Sequence, residues 1–499
     1  MKHPRCAFGA SPSRGRSQRP GKAGSAAATL FPLLLGTLLL AGCAMVGPNY
    51  ERPAHDLPLD YPPLTSSPEA TIPTNWWTLY GDATLNDLIA SSLTQSADIR
   101  QAAALVEEAQ GALREVDASF YPQVDGSFSG SRSRASSEQA IGQPSPLVRD
   151  DRRLAASTSF ELDFWGRLRR GAEAARAQVL STRYGRDVVA LTLAATTAQT
   201  YFLLRAADAQ LGVARESLAA RDDALKLVRD RVAGGVASNL DLYQAEGARA
   251  DAAVQVKDLE RQRQLYEHQL GQLAGKPGLR LVPGDLATLP NPPVPPAGLP
   301  SALLERRPDV RVAEQNLVAA NARIGVARAA MYPTITLTGL FGGQSAAMSD
   351  LLDGGARIWS LGFGLTLPIF DAGRVAARTE QAEARERQAV ALYQKSVQAA
   401  FREVADAISN LQQTTAVEGD LQQRVASARE ALRLSRVRYE AGYSAFLEVL
   451  DAQRNANDAE LALVRNRQAR LAYSVDLMKA LGGGWVAPDV SSPSAISRP

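Results

Sequence analysis

The chain has 499 residues, room for two or three ordinary domains or for one elongated architecture, and 45% apolar residues suit either. The formal charge of +3 rests on residues 1–42, which carry Lys2, Arg5, Arg14, Arg16, Arg19 and Lys22 and no acidic residue; without them 49 basic side chains face 52 acidic ones, a net of about −3 that leaves no case for a nucleic-acid partner. Of the two cysteines Cys6 lies in that same segment, so the processed chain holds no intramolecular disulfide, and His3, His55 and His268 are too scattered for a catalytic triad or a multi-histidine metal centre.

In chain order, the apolar run 29–41 is too short to span a bilayer and fits the core of a signal peptide covering residues 1–42. It ends in Leu40, Ala41, Gly42, Cys43, which resembles a bacterial lipobox and implies that Cys43 is acylated and becomes the first mature residue. Ala44 follows the cysteine in place of the aspartate that resembles an inner-membrane retention signal, which favours the outer membrane. Residues 43–80 are rich in proline and end near Trp76 and Trp77, as expected of a lipid-anchored extended arm docked by tryptophan burial.

A first repeat spans 81–282. A helical pattern runs from 84 to 119 and stops at Phe120, Tyr121, Pro122. The period then falls to two: Val124, Gly126, Phe128 and Gly130 alternate with polar residues, and after a polar loop at 132–153 so do Leu154, Ala156, Thr158, Phe160, Leu162 and Phe164. These predict strands near 121–131 and 154–165 with one apolar and one polar face, and aromatics at one end fit a membrane-interface girdle. A helical pattern then runs unbroken from 167 to 233, about 100 Å at 1.5 Å per residue, with Leu204, Leu211, Leu218, Leu225 and Val232 every seventh residue, the sign of supercoiled packing. It turns at Gly235 and returns over 240–273.

A proline-rich linker at 283–300 leads to a second repeat, 301–484. Met331, Tyr332, Pro333 answer Phe120, Tyr121, Pro122, and strands follow near 332–343 and 357–370. A second long helix runs from 374 to 441, with sevens at Leu411, Val425, Leu432 and Tyr439 that Glu418 breaks, and turns at Gly442. At a constant shift of 207, Arg438, Gly442, Leu447 and Ala452 match Arg231, Gly235, Leu240 and Ala245, with Glu448 opposite Asp241. The tail, 485–499, has the composition of a disordered end.

Four strands are too few to close an outer-membrane barrel, which takes at least about eight, and a bilayer tolerates no open sheet edge. Copies of the chain must therefore share one, and counting permits two or three. The lipobox, Trp76 and Trp77, LLERRPDV (303–310), the Tyr-Pro strand entries, LPIFDAGR (367–374) and AGYSAFLEVLDAQR (441–454) together resemble the outer membrane efflux protein family, TolC-like, in its lipoprotein branch.

That resemblance implies a mixed α and β homotrimer: a 12-stranded barrel in the outer membrane, continuous with a periplasmic helical barrel. It implies a passive, gated exit duct with no enzymatic step and no cofactor beyond the lipid on Cys43. Its partners would be a periplasmic adaptor, met at the hairpin tips around Gly235 and Gly442, and an inner-membrane resistance-nodulation-division transporter. The exit duct of a type I protein-secretion system uses the same fold, and the lipid anchor points away from it. By the same resemblance Glu448 and Asp451 form acidic rings at the periplasmic aperture and Leu447 a neighbouring apolar constriction, while Asp241, Tyr439 and Arg454 link the tip to its neighbours. Ser444 departs from the family pattern, which has a basic linking residue there.

Overall fold

The computed structural model describes residues 45–54, 72–134, 136, 148–284 and 306–487. Cys43 and all but the first two residues of the linker lie outside them. In chain order run a 3-10 turn at Trp76–Tyr80, α1 (Ala83–Gln95), α2 (Ala97–Ala118), β1 (Gln123–Arg134), β2 (Val148–Leu162), α3 (Arg167–Ala233), α4 (Asn239–Leu273), α5 (Pro308–Ala329), β3 (Thr334–Ser345), β4 (Arg357–Thr366), α6 (Arg374–Ala416), α7 (Glu418–Glu440) and α8 (Phe446–Ala480). The order helix, strand pair, long helix, returning helix occurs twice.

The strands form one antiparallel sheet in the order β1-β2-β3-β4. Its register sets Phe128 opposite Leu154, Ala156 opposite Phe341, Phe160 opposite Leu337, and Leu337 opposite Phe363. Because side chains alternate between faces, this register gathers most apolar residues of the four strands on one face, with Leu340 and Ile358 on the other. None of the described residues covers the first of these faces: Trp359, Leu361 and Phe363 are 73%, 82% and 80% exposed. Asp125, Ser157, Ser159, Thr336, Thr338 and Ser360 fall on the second.

The first hairpin is longer than its apolar part. Both ends of the stretch expected as loop, 132–153, are strand, with β1 running to Arg134 and β2 starting at Val148. Backbone pairing needs no apolar side chain once the register is set, so the ladder continues past the apolar band, where Arg132 comes within 3.7 Å of Asp150.

Two helices expected to be single are divided. Ser96 breaks the first: its backbone is extended and its hydroxyl caps the Asp98 N–H at 3.2 Å. Val417 interrupts the second, between α6 and α7. By contrast α3 is continuous over 67 residues. Its middle is the one stretch among the described helices long and apolar enough to cross a membrane, and half of it is buried. That stretch is core: Ala194, Ala198, Tyr201, Phe202 and Leu204 pack with Trp76, Tyr80, Leu85, Ile89, Leu270, Val475 and Met478, where α1, α3, α4 and α8 converge.

The termini close on this body. Glu314 of α5 accepts from Arg52 at 2.7 Å and from the Tyr50 hydroxyl at 3.3 Å. Burial first, then the Glu314 charge, push the Tyr50 phenol up to about 12. Gly47 lies so close to α5 that a Cβ there would sit 2.5 Å from the Gly325 Cα. Arg307, of the LLERRPDV segment, reaches Glu403 at 2.7 Å and the Ala480 carbonyl at 3.0 Å, tying α5 to α6 and α8. Trp485, assigned from composition to the disordered tail, is docked: its indole N–H donates to Asp187 at 3.0 Å and its ring meets Tyr184 edge-on.

Candidate functional site at the hairpin tips

The α3–α4 and α7–α8 hairpins end in the same turn. In the first, the Val236 N–H reaches the Arg231 carbonyl at 2.9 Å and the Gly235 N–H that of Val232 at 3.0 Å; in the second, Tyr443 reaches Arg438 at 2.9 Å and Gly442 reaches Tyr439 at 3.0 Å. This is a Schellman ending, and Gly235 and Gly442 supply its left-handed residue at φ 75° and 80°. Open space surrounds both glycines, so backbone conformation alone demands them.

Past the turn the twins diverge. Ser238 caps α4 through the Asp241 N–H at 3.2 Å, and Asp241 returns the bond to the Ser238 N–H at 3.3 Å. The matching residue before α8 is Ala445, which has no side-chain cap to offer.

Leu225, Val228, Ala245, Tyr439, Phe446 and Val449 bury one another between the two hairpins. Over this cluster lies Arg231, its guanidinium 4.6 Å from the centre of the Tyr439 ring, donating to the carbonyls of Tyr439 at 3.0 Å and Glu440 at 2.9 Å. One cation thus satisfies two end-of-helix acceptors of α7 and complements its dipole. Its twin Arg438 does not reciprocate and lies 4.0 Å from Glu448 on its own hairpin.

Of the residues singled out from sequence, Asp451 is held by Arg454 at 2.6 Å and by Asn455 at 3.1 Å, and Leu447 is 60% exposed. Tyr439 is buried, and its hydroxyl has no hydrogen-bond partner among the described residues; nor has the enclosed Ser444 hydroxyl. Asp241 is engaged in its own cap. Cys43 lies outside the described residues. Sequence reasoning missed Arg231 as a site residue, although its match to Arg438 across the repeat was the available signal. Among the described residues no group of three or more His, Cys, Asp or Glu side chains could hold a metal ion.

A family model described as outer membrane efflux protein matches residues 88–276 and 299–483. The chain belongs to the outer membrane efflux protein family. Outer membrane protein OprJ of Pseudomonas aeruginosa is 36% identical over 91% of this chain and 95% of its own length. Cation efflux system protein CusC of Escherichia coli is 35% identical over 90% of this chain and 97% of its own. The open state of the Neisseria gonorrhoeae MtrE outer membrane channel superposes with a TM-score of 0.79 at 30% identity, covering 88% of this chain and 98% of that one. This efflux protein therefore has the TolC-like fold and is a channel with no enzymatic function. Its uncovered apolar sheet face suits the outer membrane, and its work is to provide an exit through it.

Proposed function

We propose that three copies join edge to edge, β4 of one to β1 of the next, to close a 12-stranded barrel, and that their long helices continue it as a tube across the periplasm. The tube is the exit duct of a tripartite efflux system, driven by an inner-membrane pump through a periplasmic adaptor that meets the hairpin tips, and it carries several classes of small toxic compound. One observation carries this reading: a four-stranded sheet with an apolar outer face ends in two unpaired edges, which a bilayer does not tolerate. The acylated Cys43 supplies an added anchor, and substrate choice belongs to the pump. The name of CusC, a cation efflux system protein, favours efflux of small solutes over protein secretion.

At the periplasmic end, Leu447, Glu448 and Asp451 line the aperture, and contacts of Asp241, Tyr439 and Arg454 with neighbouring copies hold it shut. Two carboxylates about 6 Å apart repel by roughly 3 kcal/mol at an effective dielectric of 20. An acidic ring therefore opposes its own closure, and the Arg454–Asp451 pair offsets part of that repulsion. Asp241→Ala combined with Asp451→Ala is expected to raise single-channel conductance in planar bilayers; unchanged conductance would remove these residues from the gate. In a deletion strain, heightened drug susceptibility with an unaltered secreted-protein profile is the expected phenotype, and the reverse pattern would assign the duct to secretion.

A further inference from the structure

The two long helix pairs differ at one matched level, and there we propose that Glu418 is a positioning residue for the gate: clasped by Arg467 and Arg470 at the Val417 interruption, it sets the angle at which the α7–α8 tip is held. The inference rests on the gated-duct reading and adds a pivot to it.

The interruption has local causes. Thr414 and Thr415 turn their hydroxyls back onto the carbonyls of Asn410 at 2.7 Å and Leu411 at 3.1 and 2.7 Å, a habit that bends helices. The Asn466 side chain of α8 inserts to donate to the Thr414 carbonyl at 3.0 Å, the acceptor that an unbroken helix would give to the Glu418 N–H. Glu418 then turns its carboxylate to α8, with one oxygen 3.2 Å from the Arg467 Nε and the other on the Arg470 guanidinium. Its side chain is only 12% exposed.

The first half is unbroken at this level, and its buried charge pair lies one turn away, where Arg263, the twin of Arg470, holds Asp208 at 2.6 Å. At the shift of 207, Leu211 stands for Glu418, Leu259 for Asn466 and Ala207 for Thr414. Leu211 and Leu259 pack with Ala214 and Val256 in a dry cluster, and α3 runs through the level unbroken. One half thus has an apolar weld where the other has a break closed by charge.

Below the clasp, α3, α7 and α8 border a half-open gap lined by both polar and apolar side chains. A cavity of about 170 Å³ is lined by Ser217, Ala220, Arg436, Gln453 and Asn457 among others. Gln453 is 5% exposed, yet neither its amide nitrogen nor its oxygen has a partner among the described residues. A half-open gap of this kind lets α7 shift against α3 without tearing a sealed core. From Val417 to the turn at Gly442 is about 37 Å of helix at 1.5 Å per residue, so a rotation of about 5° at the clasp moves the tip by about 3 Å.

The test uses the full-length chain spin-labelled at Val236→Cys and Tyr443→Cys, both exposed tip positions, and assembled with excess unlabelled protein so that each particle holds one labelled copy. In Glu418→Gln the pulsed-EPR distance between the tips is expected to shift or broaden by about 3 Å, the lever arm given above, and the channel's open fraction to rise several-fold. Glu418→Arg with Arg470→Glu, which restores the pair with its charges exchanged, is expected to return both to the starting values. An unchanged tip distance in Glu418→Gln overturns the proposal. A shifted distance with unchanged conductance upholds the clasp as the element that sets the tip and counts against the gate. Should Glu418→Gln fail to assemble, Arg467→Gln, which spares the Arg470 contact, decides by the same distance.

Discussion

The two helix hairpins of this chain descend from one pattern, and their differences divide the labour. The α3–α4 pair is the stiff member: α3 is continuous over 67 residues, its matched level is an apolar weld, and its returning helix begins in a reciprocal Ser238–Asp241 cap. The α7–α8 pair starts at the interruption beside Val417, where Glu418 is clasped by Arg467 and Arg470, and its returning helix is uncapped at Ala445. Arg231 runs from the stiff member to the loose one, and its twin Arg438 does not run back. Under the proposed gating, the internal repeat makes one arm a post and its copy a shutter, with the fold unchanged.

Removing the ring under Arg231 breaks this comparison most severely. Tyr439→Ala empties the cluster between the tips and is expected to cost about 3 kcal/mol of local stability, whereas its twin substitution Val232→Ala costs about 1 kcal/mol. Amide hydrogen exchange over 437–450 checks this; equal protection loss in the two variants would show that the tips are not held unequally. Exchanging the caps is the next largest effect. Ser238→Ala is expected to cost about 1 kcal/mol and Ala445→Ser to gain somewhat less, each read as exchange at the start of α4 or α8.

The smallest effect concerns Asp476, whose matched residue in the first half is the neutral Gln269. Burial raises the Asp476 carboxyl above its ordinary range, although Gln199 donates to it at 2.6 Å. A carboxylate with a raised folded-state pKa costs stability when ionised, and the cost vanishes as pH falls through that value. Asp476→Asn keeps the acceptor and sheds the charge, so its Tm is expected to exceed that of the parent at pH 7 and to converge with it under acid conditions. A difference independent of pH would refute the burial argument.

Much of this was legible beforehand, for reasons that differ between elements. Period-two alternation placed Phe128, Leu154, Phe341 and Phe363 on one sheet face because register obeys the hydrophobic pattern. The long helices showed in sustained sevens, and the tips in matched glycines. Strand ends did not, since the ladder beyond Ser131 continues on backbone bonds that polar side chains neither favour nor forbid. The break at Val417 left one mark, the Glu418 that interrupts the sevens, but its partners Arg467 and Arg470 lie on another helix. For the same reason Arg231 was visible as a twin while its target, 208 residues away, was not. Trp485 sits in a stretch whose composition suggests disorder, and only its contacts with Tyr184 and Asp187 order it.

The whole account depends on a chain with too few strands completing its barrel with copies of itself. Native mass spectrometry of the full-length protein released from mild detergent tests this directly. Particles of three copies are predicted, and a monomer that keeps its strands would contradict the account.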